Sequence, residues 1–248
     1  MGAEVDRYFE PRFQLPADAT IVDAGANVGV FSGRAFERLG GAIRVHAFEP
    51  MPAVYAVLAQ NLSPLGEVMR LYPCGLGRVE AEVEFAYFPQ MPVLSSQFRG
   101  PEVIDAERTR IGDQVLQMIR DGELLGMLAP LPPALLEGMI RGQVQGALRP
   151  ERVLAQVRPL SAILDEQAIG QVDLLKIDVE GAELEVLAGI EDRHWPLIRQ
   201  ITMECEQFTS RATVVQAMLV ERGFTVWGEQ RPFEVVGDCG LIFAMRED

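Results

Sequence analysis

A short apolar strand that passes through a glycine-rich turn into a helix is predicted within residues 20–39. The strand corresponds to TIVDAG (20–25), and the turn carries Gly25, Asn27 and Gly29. Glycines at such a turn let the backbone adopt positive φ and approach a ligand closely. Open α/β sheets bind ligands beyond the carboxyl ends of their strands, where turns of this kind lie. The motif therefore predicts an open α/β fold with a binding site at the carboxyl ends of its strands.

The same alternation of a β-rich run and a helical run recurs along the chain. It predicts an α/β, Rossmann-like fold with a mostly parallel seven-stranded sheet and crossover helices. The last two runs are expected to form an antiparallel hairpin that closes the sheet edge. Predicted strands lie at 20–25, 42–50, 68–76, 79–89, 173–179, 198–206, 224–230 and 240–246. The first predicted helix ends at Leu39, and the others span 52–62, 182–190 and about 210–222.

The alternation stops between residues 90 and 157, which we interpret as an insertion within a single domain spanning residues 1–248. Apolar residues recur at helical spacing within 108–128 and 133–148. We expect these segments to form a helical lid that closes over a ligand and excludes water. A contact surface for a second copy of the chain or for a neighbouring domain is the alternative.

The chain of 248 residues carries 36 acidic and 22 basic side chains, a formal net charge of −14. Phosphate backbones and anionic lipids attract basic surfaces, so neither nucleic acid nor membranes are expected partners. We find no apolar run of about 18 residues that could span a bilayer and no secretory signal in residues 1–20. Cys74, Cys205 and Cys239 stand far apart, which favours reduced thiols. These observations predict a cytoplasmic globular protein.

An acid and two glycines define the ligand chemistry of the first turn. Asp23 precedes Gly25, and Gly29 follows four residues later. Dinucleotide sites use a tighter G-x-G-x-x-G, in which a helix N-terminus receives the pyrophosphate. The spacing in this chain disfavours a nicotinamide-dependent oxidoreductase and suits a ligand with an ammonium group and no phosphate, such as S-adenosylmethionine. A structural strand–turn–helix without a ligand is the alternative for this motif alone.

A second acid follows the second predicted strand. Glu49 lies within FEP (48–50), 24 residues beyond Gly25. A carboxylate at that place can accept both hydroxyl hydrogens of a ribose. The alternative is an acid that caps the helix starting near Pro50. Together with the first turn, Glu49 favours a nucleoside ligand.

Two more acids end the apolar run LLKIDVE (174–180). Asp178 and Glu180 would lie at the carboxyl end of a buried strand, next to the ligand crevice of an open α/β sheet. Packing alone rarely accounts for such acids, because burying an unpaired charge is costly. Glu180 could equally cap the helix that follows. The run therefore adds candidate site residues at the same sheet edge.

DAGANVG (23–29), AFEP (47–50) and LLKIDVEGAELEVLAGI (174–190) together resemble the FkbM family of methyltransferases, and the resemblance covers most of residues 20–230. It implies a class I methyltransferase fold, S-adenosylmethionine as the methyl donor, and a hydroxyl or enol oxygen as the acceptor. Asp178 would lie near the methionine end of the donor or near the acceptor. The donor-binding positions implied by the resemblance are Asp23, Gly25, Asn27, Gly29, Glu49, Cys74, Gly75, Leu76 and Asp178.

Residues 87–96, 157–164 and 194–206 are similar to a branch of this family found as O-methyltransferase domains in polyketide synthase and nonribosomal peptide synthetase assembly lines. The similarity predicts an acceptor presented on an acyl carrier protein, while a free small molecule or a sugar hydroxyl stays open. A chain that starts directly before a compact fold is expected to be a domain of a larger synthase. The rival from another class is a methyltransferase-shaped module that binds without catalysing.

The proton acceptor is predicted to be a carboxylate. Assembly-line relatives often carry a histidine after the fifth strand, where this chain reads ECEQ (204–207). A carboxylate whose pKa is raised in a dry site can remove the proton of an alcohol during attack. Glu204 is the first candidate for this role, followed by Asp178 and Glu180.

The two histidines are expected to have packing roles. His46 lies inside the second predicted strand, and His194 lies in a connection away from the expected mouth of the site. No close spacing of histidines and acids demands a metal ion, so no metal site is predicted.

Overall fold

The computed structural model describes residues 5–97, 100–122, 130–230 and 238–246. Within these ranges the chain forms a main sheet of seven strands and a small sheet of four strands. In chain order the elements are β1 (Thr20–Ala24), α1 (Val30–Arg38), β2 (Arg44–Phe48), α2 (Pro52–Leu62), β3 (Met69–Tyr72), β4 (Gly75–Leu76), β5 (Ala81–Tyr87), β6 (Ser96–Gln97), α3 (Pro101–Arg120), α4 (Pro133–Ala147), β7 (Glu151–Arg158), α5 (Leu160–Glu166), β8 (Leu174–Ile177), α6 (Glu183–Ala188), β9 (Gln200–Glu206), α7 (Phe208–Glu221), β10 (Thr225–Gln230) and β11 (Cys239–Met245).

The main sheet has the strand order β10-β11-β9-β8-β1-β2-β3. Adjacent strands from β9 to β3 are parallel, whereas β11 is antiparallel to both of its neighbours. The predicted α/β fold with a mostly parallel sheet and antiparallel C-terminal strands is therefore confirmed. Parallel pairing brings the carboxyl ends of β1, β2 and β8 to one edge and sets Asp23 beside Lys176.

The C-terminal hairpin is present and forms one edge of the main sheet, as predicted. Its second strand, β11, lies inside the sheet between β9 and β10, and β10 forms the edge. The reason is apolar content, since β11 is buried along almost its whole length and β10 is largely exposed. A strand that is apolar on both faces gains most from an interior position.

The insertion is not wholly helical, contrary to the prediction. β6 and β7 join β4 and β5 in the small sheet, whose order is β4-β7-β5-β6. The alternation of Val153, Ala155 and Val157 along β7 has the period of a strand, a signal that the sequence analysis did not use. Pro73, which lacks an N–H, separates β3 from β4 and splits the strand predicted at 68–76.

The helices of the insertion follow the prediction in part. α3 starts at Pro101, earlier than the predicted 108, because a proline fits the first turn of a helix. Residues 123–128 of that predicted helix lie outside the described residues. α4 matches its predicted span closely.

The core lies on both faces of the main sheet. Along β1, Ile21 packs on one face and Val22 on the other. The N-terminal segment, residues 5–19, joins the first face, where the rings of Phe9 and Phe31 stack 4.9 Å apart. None of the helices in the described ranges is long and apolar enough to cross a membrane.

Candidate functional site

A cavity of about 300 Å³, here called the main cavity, lies between the carboxyl ends of the main-sheet strands and the small sheet. A concave site with one apolar wall and a few convergent polar groups is the usual form of a small-molecule site. The polar wall comes from the main sheet and the apolar wall from the small sheet. The polar wall includes Gly25, Asn27, Glu49, Asp178 and Glu180. The apolar wall includes Leu76, Val83, Phe85 and Val157.

The small sheet, rather than the predicted helical lid, roofs the main cavity. Val83 and Phe85 of β5 line the cavity, and Ala86 on the opposite face packs with Ile104 and Ile111 of α3. Successive side chains of a strand point to opposite faces, so the sheet separates the helices from the cavity. Within the described residues, α3 and α4 contribute no lining residue to the main cavity.

The turn after β1 is tightly packed against its surroundings. Gly25, Asn27 and Gly29 have φ values of 77°, 50° and 90°. A Cβ on Gly25 would lie 1.8 Å from the carbonyl oxygen of Asp178, and one on Gly29 would lie 2.9 Å from Leu58 of α2. Gly25 and Asn27 line the main cavity, whereas Gly29 allows the turn to pack against α2.

Glu49 is fixed at the wall of the main cavity by two backbone amides. The N–H of Asn27 donates to Oε2 at 3.1 Å, and the N–H of Met51 donates to Oε1 at 2.9 Å. Burial raises the pKa of this carboxyl to about 7, against the opposing effect of the amide hydrogen bonds and of Lys176. Each oxygen keeps a lone pair for one further donor, so Glu49 can bind two neighbouring hydroxyl groups.

Lys176 is a buried cation beneath the turn, and the sequence analysis did not single it out. Its Nζ lies 3.0 Å from Asp23 Oδ1 and 3.5 Å from Asp178 Oδ2, and it donates to the Gly25 carbonyl at 2.8 Å. Although burial lowers the pKa of Lys176, the charges of the two aspartates outweigh it and the net shift is upward. Lys176 therefore links the turn to the acid at the end of β8.

Tyr8 brings the N-terminal segment to the same acids. Its hydroxyl lies 2.8 Å from Glu204 Oε2 and 3.1 Å from Asp178 Oδ2. One hydroxyl has one proton, so both contacts are satisfied when one of the carboxyls is also protonated. Burial and the charge of Asp178 raise the pKa of Glu204, against the opposing effect of hydrogen bonds from Cys239 and Tyr8. Glu204 thus belongs to a buried hydrogen-bond network.

We expect Tyr8→Phe to lower the free energy of unfolding by about 1.5–3 kcal/mol, the range for a hydrogen bond to a charged group. The ring stays in place beside Phe31, so the loss isolates the hydroxyl. Urea denaturation measures it. Tyr55→Phe is the matched control, because the Tyr55 hydroxyl makes only a long contact of 3.4 Å with the Leu71 carbonyl. Equal effects of the two substitutions would contradict this role of Tyr8.

A second group of acids surrounds the turn after β8. Glu180 adopts φ of 51° and is hydrogen-bonded to Glu206. Burial, then the charges of Asp178, Glu206 and Glu204, raise the pKa of Glu180 well above its ordinary value. Glu180 does not cap the helix that follows, since α6 has Ala182 at its N-cap and no side-chain cap. The Glu183 carboxylate instead accepts the Gly181 N–H at 2.6 Å in the turn before α6. This leaves the Glu180 side chain at the cavity.

The structure brings most predicted site residues together but leaves some outside the main cavity. Asp23, Gly29, Cys74 and Glu204 do not line it, whereas Gly75 and Leu76 do. Burial raises the pKa of the Cys74 thiol to about 11, so the thiol stays protonated. Among the described residues, no cluster of three or more His, Cys, Asp or Glu side chains is arranged to hold a metal ion.

Both histidines are buried away from the main cavity. His46 Nδ1 lies 2.8 Å from the Tyr72 hydroxyl, and His194 Nδ1 lies 2.8 Å from Ser161 Oγ. Burial lowers the pKa of His46 to about 4, so its ring is neutral at pH 7. These contacts agree with the packing roles expected from the sequence.

Two characterised proteins resemble this chain over most of its length. The chain is 31% identical over 240 residues to 31-O-demethyl-FK506 methyltransferase FkbM of Streptomyces tacrolimicus, covering 96% of this chain and 85% of that protein. It is 33% identical over 219 residues to AMB antimetabolite synthetase AmbE of Pseudomonas aeruginosa, covering 86% of this chain but 10% of that protein.

The fold has a solved counterpart in the crystal structure of methyltransferase FkbM from Methylobacillus flagellatus KT. The TM-score is 0.55 at 16% identity, covering 94% of this chain and 45% of that one. This likeness confirms the predicted class I methyltransferase fold. The family model of the methyltransferase FkbM domain matches residues 23–226, from the acid before the first turn to β10. The chain therefore belongs to the FkbM family of methyltransferases, as its motifs predicted.

Proposed function

We propose that this chain is an S-adenosylmethionine-dependent O-methyltransferase that binds the donor in the main cavity. The observation that carries the proposal is Glu49, which two backbone amides hold at the cavity wall with one lone pair left on each oxygen. A ribose presents two neighbouring hydroxyls to such a carboxylate. The acid follows β2, at the sheet edge where open α/β sheets bind nucleosides.

The charge of the main cavity supports this donor over a dinucleotide. Glu49, Asp178, Glu180 and Glu185 line it, and Arg78 is the cation beside Glu185, at 3.2 Å. An acidic wall attracts a ligand with ammonium and sulfonium charges and repels a pyrophosphate. The electrostatics thus favour S-adenosylmethionine over NAD.

Each part of the wall has a role in this proposal. Glu49 would accept the ribose hydroxyls, Asp178 would face the ammonium group, and Leu76 with the apolar wall would contact the adenine. The bound donor would supply a methyl group on a positively charged sulfur. The protein itself would hold the acceptor in line and exclude water, which can contribute several kcal/mol to the rate. Asp23 would act through Lys176 to hold Asp178 in place.

Oxygen on a carrier-bound intermediate is the acceptor we propose. In support, one relative is named for methylation of 31-O-demethyl-FK506, and another is a synthetase of which this chain matches one part. A free small molecule or a sugar hydroxyl is the second candidate. A non-catalytic module would bind the donor and turn over no acceptor. The buried free thiols Cys74, Cys205 and Cys239 fit a reducing compartment, and we include a cytoplasmic location in the proposal.

We expect Glu49→Ala to weaken S-adenosylmethionine binding about 100-fold or more, because two hydrogen bonds to a charged group are lost. Calorimetry with the purified chain measures the loss, with NAD as the control ligand. Glu37→Ala, an exposed acid on α1, should bind as the unchanged chain does. If the unchanged chain binds neither S-adenosylmethionine nor its demethylated product, the proposed function is wrong.

The pH dependence of the same titration tests Glu49 independently. Its pKa of about 7 means that the free protein carries the protonated acid below pH 7. A cationic ligand with two hydroxyl donors prefers the ionised form, so affinity should fall as pH drops, by at most about tenfold per unit. Glu49→Gln should remove this slope. An affinity that is constant between pH 5.5 and 8 would contradict the role of Glu49.

A further inference from the structure

A second cavity of about 90 Å³, here called the small cavity, lies beneath α3. The donor site proposed above does not use it. Ala86 of β5 and Phe88, which directly follows β5, line it on one side, and Ile104 lines it from α3. Its walls also carry the carboxyls of Glu180 and Glu206 and the side chain of Arg110. The small cavity therefore combines apolar side chains with an acidic pair and one cation.

The two cavities meet at two side chains. Gln97 and Glu180 line both of them. Val83 and Phe85 face the main cavity, while the neighbouring Ala86 faces the small one, so the cavities lie on opposite faces of β5. A molecule seated in the small cavity would reach the main cavity past these two residues. The junction is where an acceptor atom and a donor in the main cavity would come together.

Glu180 has the backbone and the partner of a functional acid. Its φ of 51° is uncommon for a residue other than glycine or asparagine, and such strain is often found at functional sites. Its hydrogen bond to Glu206 joins two carboxyls through one proton. A pair that holds one proton can still take up a second. Glu204, the first candidate base from the sequence, lines neither cavity and is bonded to Tyr8 and Cys239.

We propose that the small cavity is the acceptor subsite, which receives a small aliphatic group beside the reacting hydroxyl and presents that hydroxyl to Glu180. This inference rests on the proposed function and adds the substrate class and the base. At about 10–15 Å³ for each water-sized group, the volume of about 90 Å³ suits roughly six to nine such groups. A secondary alcohol with a short alkyl end fits this description, and a long chain or a sugar does not.

The proton balance of the step is complete with these residues. The acceptor oxygen forms a bond to the methyl carbon while the carbon–sulfur pair leaves with sulfur, giving a neutral thioether. The hydroxyl proton passes to Glu180 while the proton that Glu180 shares with Glu206 moves to Glu206, so both carboxyls end the step protonated. Burial and the neighbouring acids raise the pKa of Glu180, which makes it a stronger base than an exposed carboxylate. The ionisable groups around the pair are Asp178, Glu204, Glu183 and Arg110.

The first test is binding of a defined probe, the N-acetylcysteamine thioester of 3-hydroxybutyrate. Its hydroxyl carbon carries a methyl group on one side and a short thioester arm on the other. We expect the probe to shift the methyl NMR signals of Ile104 and Leu94, which line the small cavity. If the chain binds S-adenosylmethionine but the probe leaves these signals unchanged, the subsite is wrong and the proposed function stands. If S-adenosylmethionine does not bind, the proposed function itself fails.

Two variants change the volume of the small cavity. In Ala86→Leu the larger side chain should fill the small cavity, so the probe-induced shifts should be lost. Binding of S-adenosylmethionine should remain, which verifies that the variant is folded. Ile104→Ala should enlarge the small cavity. Affinity for the 3-hydroxyhexanoyl thioester should then rise relative to the 3-hydroxybutyryl thioester by about 15-fold, since two methylenes are worth roughly 1.6 kcal/mol. Unchanged probe binding in both variants would overturn the proposal.

The acid is tested by carboxamide variants. Glu180→Gln should keep both the donor and the probe but transfer the methyl group 10²- to 10⁴-fold more slowly, the usual contribution of general base catalysis. Glu221→Gln, an exposed acid at the end of α7, is the matched control and should leave transfer unchanged. Transfer at the ordinary rate in Glu180→Gln, or a larger loss in Glu204→Gln than in Glu180→Gln, would reject Glu180 as the base.

Discussion

Gly25→Ala is expected to lower the free energy of unfolding by about 2–5 kcal/mol and to abolish S-adenosylmethionine binding. Two costs add. A non-glycine residue at φ of 77° costs about 1–2 kcal/mol, and forcing a methyl group into packed atoms costs about 1–3 kcal/mol. The methyl would lie 1.8 Å from the Asp178 carbonyl oxygen, and rigid backbone on both sides means that β1 and β8 must separate. Urea denaturation and calorimetry measure the two effects.

Alanine substitutions at two other glycines separate the backbone cost from the packing cost. Gly40 has φ of 73° but no atom within 4 Å of an added Cβ, so Gly40→Ala should show the backbone cost alone. Gly33 lies inside α1, with its nearest atom at 3.8 Å, and Gly33→Ala should be neutral or stabilise by up to about 1 kcal/mol. If Gly25→Ala costs no more than Gly40→Ala, close packing against Asp178 is not what requires the glycine.

The residues that could be predicted from the sequence are those with a local signal. Gly25, Asn27 and Glu49 each follow directly after an apolar strand, and parallel pairing then places the strand ends at one edge. The mostly parallel sheet could be predicted as well, because alternating strands and helices leave few topologies. The sequence interpretation of Gly25 was incomplete, since the same glycine that approaches the cavity also packs on the backbone of Asp178.

The residues that escaped prediction depend on contacts between distant parts of the chain. Tyr8 lies 170 positions from Asp178 and 196 from Glu204, and no pattern around Tyr8 indicates either contact. The small sheet has the same origin, because β7 pairs with β4 and β5 across the whole insertion. The alternation along β7 marks a strand but not its partners, so pairing that distant is settled by tertiary packing.

Lys176 is different, since its signal was present in the sequence. A lysine in the middle of the apolar run LLKIDV must be buried, and a buried charge requires an opposite charge nearby. Asp23 and Asp178 were already predicted to lie at the ends of neighbouring strands. Combining these facts would have predicted the cluster of Asp23, Lys176 and Asp178, and with it the positioning role that we propose for Asp23.

Lys176→Met is therefore expected to destabilise the chain by about 3–5 kcal/mol, the usual result of removing one partner of a buried ion pair. Methionine fills most of the space, so the loss reports the charge that stays behind on Asp23, whose side chain is fully buried. Arg141→Met is the control, because its pairs with Asp113 and Glu137 are exposed and worth about 1 kcal/mol or less. Urea denaturation at pH 7.5 compares the two variants.

Neutralising the partner should restore much of that loss. In the double variant Lys176→Met with Asp23→Asn, the asparagine carries no charge and can keep a hydrogen bond with Ser32. The double variant should be more stable than the sum of the single effects predicts, by about 1–3 kcal/mol. Donor binding should stay weak in it, because Asp178 and the Gly25 carbonyl both lose the ammonium group that holds them together. Additive losses would mean that Asp23 and Lys176 act independently. In that case glycine packing alone would hold the turn after β1 in place.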